Sequence, residues 1–334
     1  MKKILLATLV FILIALNWNS IKELTPTGKA TVEIPEENNN SIEVYFCPTD
    51  DCEGELIKTI EMASEKVHCA FYDVDLENVK DSMVEARRKG VDMKLIVDAD
   101  NKEFFEGYKW MRPDDRTAIM HNKFCIVDDS IVWTGSFNPT YRGAYKNNNN
   151  ALRIKSAVLA ANYEAEFDEM WNGEFGKGPE VEEPIVALDG KRVENYFCPE
   201  DWCANKVLRV IEGAQESVEF MTFSFTYDEL GDAIIAKYDS GIKVRGVFEK
   251  TQNNAYTEYS KMEAEGMDVR WDGNPANMHH KVFVIDGKIV VTGSFNPSNN
   301  GNKNNDENIL IIYDKEVAQK YNQEFERIWN QAKI

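Results

Sequence analysis

The chain contains one segment twice. Residues 120–138 read MHNKFCIVDDSIVWTGSFN, and residues 278–296 read MHHKVFVIDGKIVVTGSFN. In each copy a His is followed by a Lys two residues later, by an Asp five residues after that, and then by Gly-Ser-Phe-Asn. Two copies of one long segment predict two copies of one folding unit, so the chain is constrained to a duplicated fold.

The repeat extends over most of the 334 residues. Cys47 corresponds to Cys198, and Trp171 corresponds to Trp329. A stretch rich in Gly, Pro and Glu separates the two copies, as is typical of a linker. The predicted organisation is an N-terminal segment at 1–20, a linker at 21–40, a first half at 41–171, a linker at 172–191 and a second half at 192–334.

Both halves show the same alternation of apolar strand patterns and helical patterns. Such alternation predicts the α/β class, with each half an α-β-α sandwich around a mixed sheet. Two equivalent units can pack about a pseudo-twofold axis, as a homodimer of one unit would. This arrangement would bring the two copies of the motif together.

The N-terminus predicts export. Lys2 and Lys3 precede an apolar run from Ile4 to Leu16. The run fits the core of a signal peptide and is short for a membrane span. Because no clear cleavage site follows, an uncleaved N-terminal anchor is the alternative. Either interpretation predicts a protein that is secreted or anchored outside the cytoplasmic membrane.

The six cysteines are informative in an exported chain. Two Cys-x4-Cys spacings in equivalent places predict the local disulfides Cys47–Cys52 and Cys198–Cys203. A four-cysteine zinc site is the alternative, although its usual spacing is Cys-x2-Cys. Cys69 and Cys125 have no counterparts in the second half. The sequence leaves open whether they pair with each other or fill core positions.

The net charge limits how a polyanion could bind. There are 38 Lys and Arg against 57 Asp and Glu, which gives a formal charge of -19. Proteins that coat nucleic acid electrostatically are basic, because binding draws on neutralised phosphates. A polyanionic substrate must therefore meet a local positive cleft.

The motif residues suit a phosphodiester. Residues i and i+2 of a strand share a face, so each motif His lies beside its Lys. Ammonium, hydroxyl and amide groups can hold the non-bridging oxygens and stabilise the charge that develops on them. The candidate groups are Lys123 and Lys281, the hydroxyls of Ser136 and Ser294, and the amides of Asn138 and Asn296.

Paired histidines can divide the chemistry. A neutral imidazole can attack phosphorus to form a phosphohistidine, and a protonated one can donate to the leaving oxygen. His121 and His279 are the candidates, and this scheme calls for no metal and no cofactor. Asp128 and Asp286 end their strands, where turn formation is the favoured role.

The doubled HxK(x)4D…GSxN pattern resembles the phospholipase D superfamily, and it is most similar to the Nuc-type endonuclease branch. In that branch a dimer of single-motif chains forms one active site, and here two halves are fused, so a monomer suffices. The resemblance implies a metal-independent phosphodiesterase, namely an exported nuclease acting on DNA or RNA. A phospholipase D or phosphatidyltransferase acting on phospholipids is one alternative. A non-catalytic phosphate-binding surface protein is the other.

One position breaks the symmetry of the repeat. Glu307 aligns with Asn149, because both halves have equal spacing after GSFN. In Nuc-like enzymes the Glu at that position hydrogen-bonds the catalytic histidine. The resemblance therefore implies that Glu307 orients His279 as the nucleophile, with His121 as general acid and then general base.

Overall fold

The structure is a computed structural model that describes residues 34–332. The strands in that range are β1 (Glu36–Glu37), β2 (Ile42–Cys47), β3 (Lys66–Phe71), β4 (Asp92–Asp98), β5 (Met111–Asp114), β6 (Lys123–Val127), β7 (Ile131–Gly135), β8 (Asn149–Lys155), β9 (Ile185–Leu188), β10 (Lys191–Cys198), β11 (Ser217–Thr222), β12 (Lys243–Phe248), β13 (Asp268–Trp271), β14 (Lys281–Ile285), β15 (Ile289–Gly293) and β16 (Glu307–Tyr313). The α-helices are α1 (Cys52–Glu61), α2 (Glu77–Arg88), α3 (Tyr141–Tyr145), α4 (Ala157–Trp171), α5 (Cys203–Glu212), α6 (Asp228–Asp239), α7 (Tyr259–Ala264), α8 (Asn299–Lys303) and α9 (Lys315–Gln331).

The two halves form two sheets with the same strand order. The first sheet runs β2-β8-β7-β6-β3-β4-β5, and the second contains the equivalent series β10-β16-β15-β14-β11-β12-β13. In each series the last three strands pair in parallel and the others are antiparallel. The predicted fold class, two α/β halves with mixed sheets, is confirmed.

The second sheet has two additional strands at one edge. β9 pairs with β10, and β1 pairs in parallel with β9, with Glu36 opposite Ala187. The segments 21–40 and 172–191 were expected to be linkers only, so these strands are a difference from the prediction. Two short strands cover an edge of β10 that would otherwise present unpaired backbone groups.

A shared hydrophobic core joins the halves. It contains the inward faces of both sheets together with α4 and α9. Apolar residues at helical spacing line the buried face of α9, from Val317 and Tyr321 to Phe325 and Ile328. The Phe46 ring of the first half packs against Tyr321 of the second at 5.2 Å. Because the described residues from Pro35 onward belong to one compact unit, the two motifs are held in a fixed relation.

The six cysteines form three disulfides. The predicted bonds Cys47–Cys52 and Cys198–Cys203 are confirmed, and they exclude the zinc alternative because every thiol is paired. The open question about Cys69 and Cys125 is resolved, since they pair across β3 and β6.

The expected signal peptide or anchor at 1–20 lies outside the described residues. Within residues 34–332, none of the helices combines the length and the apolar character needed to span a bilayer.

Candidate active site

The motif segment of each half pairs with a loop of the other half. The backbone N–H of His121 donates to the carbonyl of Asp306 at 2.9 Å, and that of His279 donates to the carbonyl of Asn148 at 2.8 Å. Asp306 and Asn148 immediately precede β16 and β8. The first residue of β16, Glu307, therefore lies beside His121 of the first half. The first residue of β8, Asn149, lies beside His279 of the second half.

This crossed pairing determines the partner of each histidine. Glu307 Oε2 lies 2.7 Å from His121 Nδ1, and Asn149 Oδ1 lies 2.8 Å from His279 Nδ1. The prediction that Glu307 orients His279 is wrong. Glu307 and His279 belong to the same half in sequence, but the loop that leads into β16 pairs with the other half and places Glu307 beside His121. Since Nδ1 of each ring is engaged, Nε2 is the nitrogen left for chemistry.

The hydroxyls of the two motif serines hydrogen-bond to Glu307 and Asn149, the groups that contact the histidines. Ser294 Oγ donates to Glu307 Oε2 at 2.8 Å, and Ser136 Oγ donates to Asn149 Oδ1 at 3.1 Å. Each hydroxyl also accepts a backbone N–H of β16 or β8. The sequence predicts that both hydroxyls bind the phosphate. In the structure their donor and acceptor capacity is used inside the protein, and they fix the groups behind the histidines.

The glycine before each serine is required by the backbone. Gly135 and Gly293 have φ angles of 139° and 141°, and a Cβ at either position would collide with the carbonyl oxygen of Asn150 or Asn308. Only glycine allows the loop to approach β8 and β16 this closely. The same close approach of the backbone is found in both halves.

The motif lysines lie beside the histidines, as strand geometry predicted. Lys123 and Lys281 are buried, and their Nζ atoms donate to the carbonyls of His121 and His279 at 2.5 and 2.8 Å. The Tyr72 ring, directly after β3, packs against His121 and Lys123, and the Phe223 ring, directly after β11, packs against His279 and Lys281. These rings close one side of the site.

The electrostatics of the site favour an anion. Burial and the nearby lysines lower the pKa of both histidines well below their ordinary value. Burial lowers the pKa of Lys123 to about 7, and burial together with Lys123 lowers the pKa of Lys281 well below its ordinary value. Burial also raises the pKa of Glu307 to about 8. A phosphodiester among these groups would stabilise the ammonium forms of the two lysines, and these ammonium groups in turn favour the ionised form of Glu307.

Two asparagines of the GSFN loops each have a side-chain oxygen without a hydrogen-bond partner in the part of the chain that the structure describes. The Oδ1 atoms of Asn138 and Asn296 are buried and have no hydrogen-bond partner among residues 34–332. Asn138 lines a cavity of about 220 Å³ together with His279 and Arg142. Arg142 was not singled out from the sequence, because the second half has Asn300 at the equivalent position.

A buried amide network fixes the crossed arrangement. Asn308 Nδ2 donates to Asn122 Oδ1 at 2.7 Å, and Thr134 Oγ1 donates to Asn308 Oδ1 at 3.0 Å. The equivalent Asn150 donates to Thr292 Oγ1 at 2.7 Å. Buried amide and hydroxyl groups without hydrogen-bond partners would destabilise the fold. The network therefore favours the one arrangement of the two halves in which these groups are paired. Sequence reasoning missed it because asparagine runs are also typical of loops.

The motif aspartates hold turns. Asp128 accepts the backbone N–H groups of Glu65 and Lys66 at 2.9 and 2.8 Å, and Asp286 accepts that of Glu216 at 2.7 Å. Each carboxylate therefore ties the end of a motif strand to the start of its neighbour in the sheet.

The fold and the paired motifs define the class of two-motif phospholipase D-like proteins. The family model described as "Cardiolipin synthase, PLD-like domain" matches residues 56–171 and 207–329. The chain belongs to this family.

Curated relatives match over about the length of one half. Mitochondrial cardiolipin hydrolase of Xenopus tropicalis is 33% identical over 132 residues, which cover 39% of this chain and 63% of that protein. Its human counterpart is 33% identical over 130 residues, covering 38% and 51%. Phospholipase D of Rickettsia prowazekii (strain Madrid E) is 30% identical over 138 residues, covering 41% and 67%. The chain thus spans about half to two thirds of the length of these relatives.

A solved structure matches both halves together. Phosphatidylserine synthase of Haemophilus influenzae Rd KW20 superposes with a TM-score of 0.68 and 13% identity, covering 87% of each chain. This likeness shows the fold. Nuc from Salmonella typhimurium is 28% identical, with a TM-score of 0.41, and covers 42% of this chain and 95% of its own.

Proposed function

We propose that the chain is a phosphodiesterase that works through a phosphohistidine and that its substrate is nucleic acid. The observation that carries the proposal is the unequal pair of histidine partners, Glu307 behind His121 and Asn149 behind His279. Lys123 and Lys281 are buried at the same site, and their positive charges would be neutralised by an anionic substrate.

The unequal partners support unequal roles. When Nε2 of His121 bonds to phosphorus, the ring becomes cationic, and the Glu307 carboxylate at Nδ1 offsets that charge. We therefore assign His121 as the nucleophile, which reverses the expectation drawn from the sequence. His279, held through Nδ1 by a neutral amide, is the general acid. The bond between phosphorus and the leaving oxygen breaks as that oxygen takes the Nε2 proton of His279.

The second step regenerates both histidines. Neutral His279 removes a proton from water, the hydroxyl oxygen bonds to phosphorus, and the bond between phosphorus and His121 breaks. In both steps Lys123 and Lys281 hold the non-bridging oxygens, with the amides of Asn138 and Asn296 as further ligands. The bound phosphodiester favours the protonated form of His279 that the first step needs.

The test is to trap and locate the covalent phosphate. The full-length chain in mild detergent would be mixed with bis(p-nitrophenyl) phosphate, quenched in alkali and mapped by mass spectrometry. We expect phosphate on His121 in the wild type and, to a greater extent, in His279→Asn, which cannot complete turnover. His121→Asn should give none. His68→Asn is the matched control, since His68 contacts Glu164 and lies outside the site. Phosphate on His279 would overturn the assignment.

The substrate class is tested separately. DNA and RNA oligonucleotides would be compared with mixed micelles of phosphatidylcholine or cardiolipin, and alcohol would be added to detect transfer. Phospholipid is the second candidate, favoured by relatives named cardiolipin hydrolase and phospholipase D. Cleavage of lipid alone would overturn the nucleic-acid proposal. Phosphate binding without turnover of any diester would favour a non-catalytic protein.

We also infer that the protein acts outside the cytoplasm. Three disulfides support this, because disulfides persist in oxidising compartments. Protease added to intact cells should digest the protein. Full protection there, with digestion only after lysis, would contradict the inference.

A further inference from the structure

Two tyrosines form an exposed aromatic pair on α3. The side chains of Tyr141 and Tyr145 are 55% and 47% exposed, and their ring centroids lie 5.4 Å apart. The hydroxyl of Tyr145 donates to Glu53, and Lys146 Nζ lies 5.7 Å from the Tyr141 ring centroid. The pair is thus fixed in place while its rings remain open to solvent.

The same helix borders the cavity beside His279. α3 begins directly after the GSFN loop, where Thr140 caps it by accepting the N–H of Gly143 at 2.9 Å. Arg142 lines the cavity that also contacts His279. Within residues 34–332, neither Arg142 nor Lys146 forms an ion pair, although the protein is strongly acidic overall. Both cations are therefore available to an incoming anion.

The feature exists in one half only. The first half reads TYRGAYKNN after its motif, and the second reads SNNGNKNND. Asn299 replaces Tyr141 and Lys303 replaces Tyr145, so α8 carries no aromatic ring. The aromatic pair therefore lies only in the half whose Asn149 holds His279, which is the proposed leaving-group side of the site.

We propose that α3 is a stacking platform for an unpaired nucleotide on the leaving-group side of the scissile phosphate, which makes single-stranded nucleic acid the preferred substrate. An aromatic face accepts any base, and the neighbouring cations contact the flanking phosphates. Bases in a duplex are paired and stacked on each other, so they cannot use such a platform. Two anchored rings offer little apolar area to a bilayer, and the charge of -19 opposes an anionic surface. This inference rests on the proposed function.

Binding is measured apart from turnover. The full-length His121→Asn chain would be titrated with a short fluorescent single strand, and anisotropy would give the affinity. Tyr141→Ser and Tyr145→Ser should each weaken binding roughly 10-fold, whereas Tyr141→Phe should retain it. Tyr256→Ser is the matched control, because Tyr256 is 79% exposed and lies in the other half.

The contribution of Arg142 is measured by the salt dependence of the binding constant. Arg142→Ala should reduce the slope of log K against log salt by about 0.7, the value for one phosphate contact with a single strand. Arg87→Ala, at an exposed arginine on α2, should leave the slope unchanged.

The chemistry is followed with bis(p-nitrophenyl) phosphate in chains that retain His121. The serine variants should keep its turnover while raising KM for single strands. An inability to cleave any oligonucleotide would refute the proposed function. Cleavage with an unchanged KM in Tyr141→Ser, or binding to a blunt duplex as tight as to a single strand, would overturn the platform alone. The platform would also be overturned if the chain bound phosphatidylglycerol vesicles but not oligonucleotides, and if that binding required the Tyr141 and Tyr145 rings.

Discussion

Replacing Glu307 by Gln removes one charge behind His121 while preserving side-chain size. The carboxylate lies 2.7 Å from Nδ1 and accepts the hydroxyl of Ser294 at 2.8 Å. A hydrogen bond to a charged group contributes about 1.5–3 kcal/mol, against about 1 kcal/mol for a neutral one. The difference of about 0.5–2 kcal/mol corresponds to roughly 2- to 30-fold in rate, and a 10-fold change lies inside that range. The amide oxygen can still accept from Nδ1, as Asn149 does at His279, so activity should fall without vanishing.

The assay is the first-turnover burst of p-nitrophenolate from bis(p-nitrophenyl) phosphate. The burst rate reports attack by His121, and the later steady rate reports hydrolysis of the intermediate. We expect Glu307→Gln to slow the burst roughly 10-fold. Glu324→Gln is the control, because Glu324 is a buried carboxylate 3.0 Å from Nε2 of His280, the residue between the motif positions His279 and Lys281. An unchanged burst rate in Glu307→Gln would refute the reasoning.

Three further outcomes follow from the structure. Lys123 has a pKa lowered to about 7, and an anion favours its protonated form, so calorimetry should show affinity for dimethyl phosphate falling as pH rises above that value. A pH-independent affinity would contradict this. Gly293→Ala, whose Cβ collides with Asn308, should lower the free energy of unfolding in urea by about 1–3 kcal/mol. Replacing Cys69 and Cys125 by Ala removes a disulfide that closes a loop with a sequence separation of 56. In the chain-entropy model this should lower the free energy of unfolding by about 4 kcal/mol. A loss below about 1 kcal/mol would argue against that model.

Properties determined locally or by periodicity could be predicted from the sequence. The alternation of strands and helices predicted both sheets, and the period of two residues placed Lys123 beside His121. The Cys-x4-Cys spacing predicted two disulfides because both cysteines of each pair lie in one short loop. These inferences need only the geometry of a strand or a turn.

Contacts between the halves could not be predicted in the same way. An alignment of the repeats shows that Glu307 is equivalent to Asn149, but it does not show which histidine each one reaches. That depends on the backbone pairing of His121 with Asp306, which crosses the pseudo-twofold axis. The role of Ser294 was missed for the same reason, because its acceptor acts on the opposite half.

The crossed geometry leads to a reciprocal test of the whole mechanism. Both histidines are buried beside a lysine, and the serine hydroxyl beneath Glu307 has an equivalent beneath Asn149. If the carboxylate decides which ring becomes the nucleophile, the double substitution Asn149→Glu with Glu307→Asn should move the trapped phosphate from His121 to His279. Each single substitution serves as a control, since Glu307→Asn leaves no carboxylate and Asn149→Glu leaves two. Phosphate that stays on His121 in the double variant would show that the carboxylate does not determine which histidine is the nucleophile. Another feature, for example the substrate orientation set by α3, would then determine it.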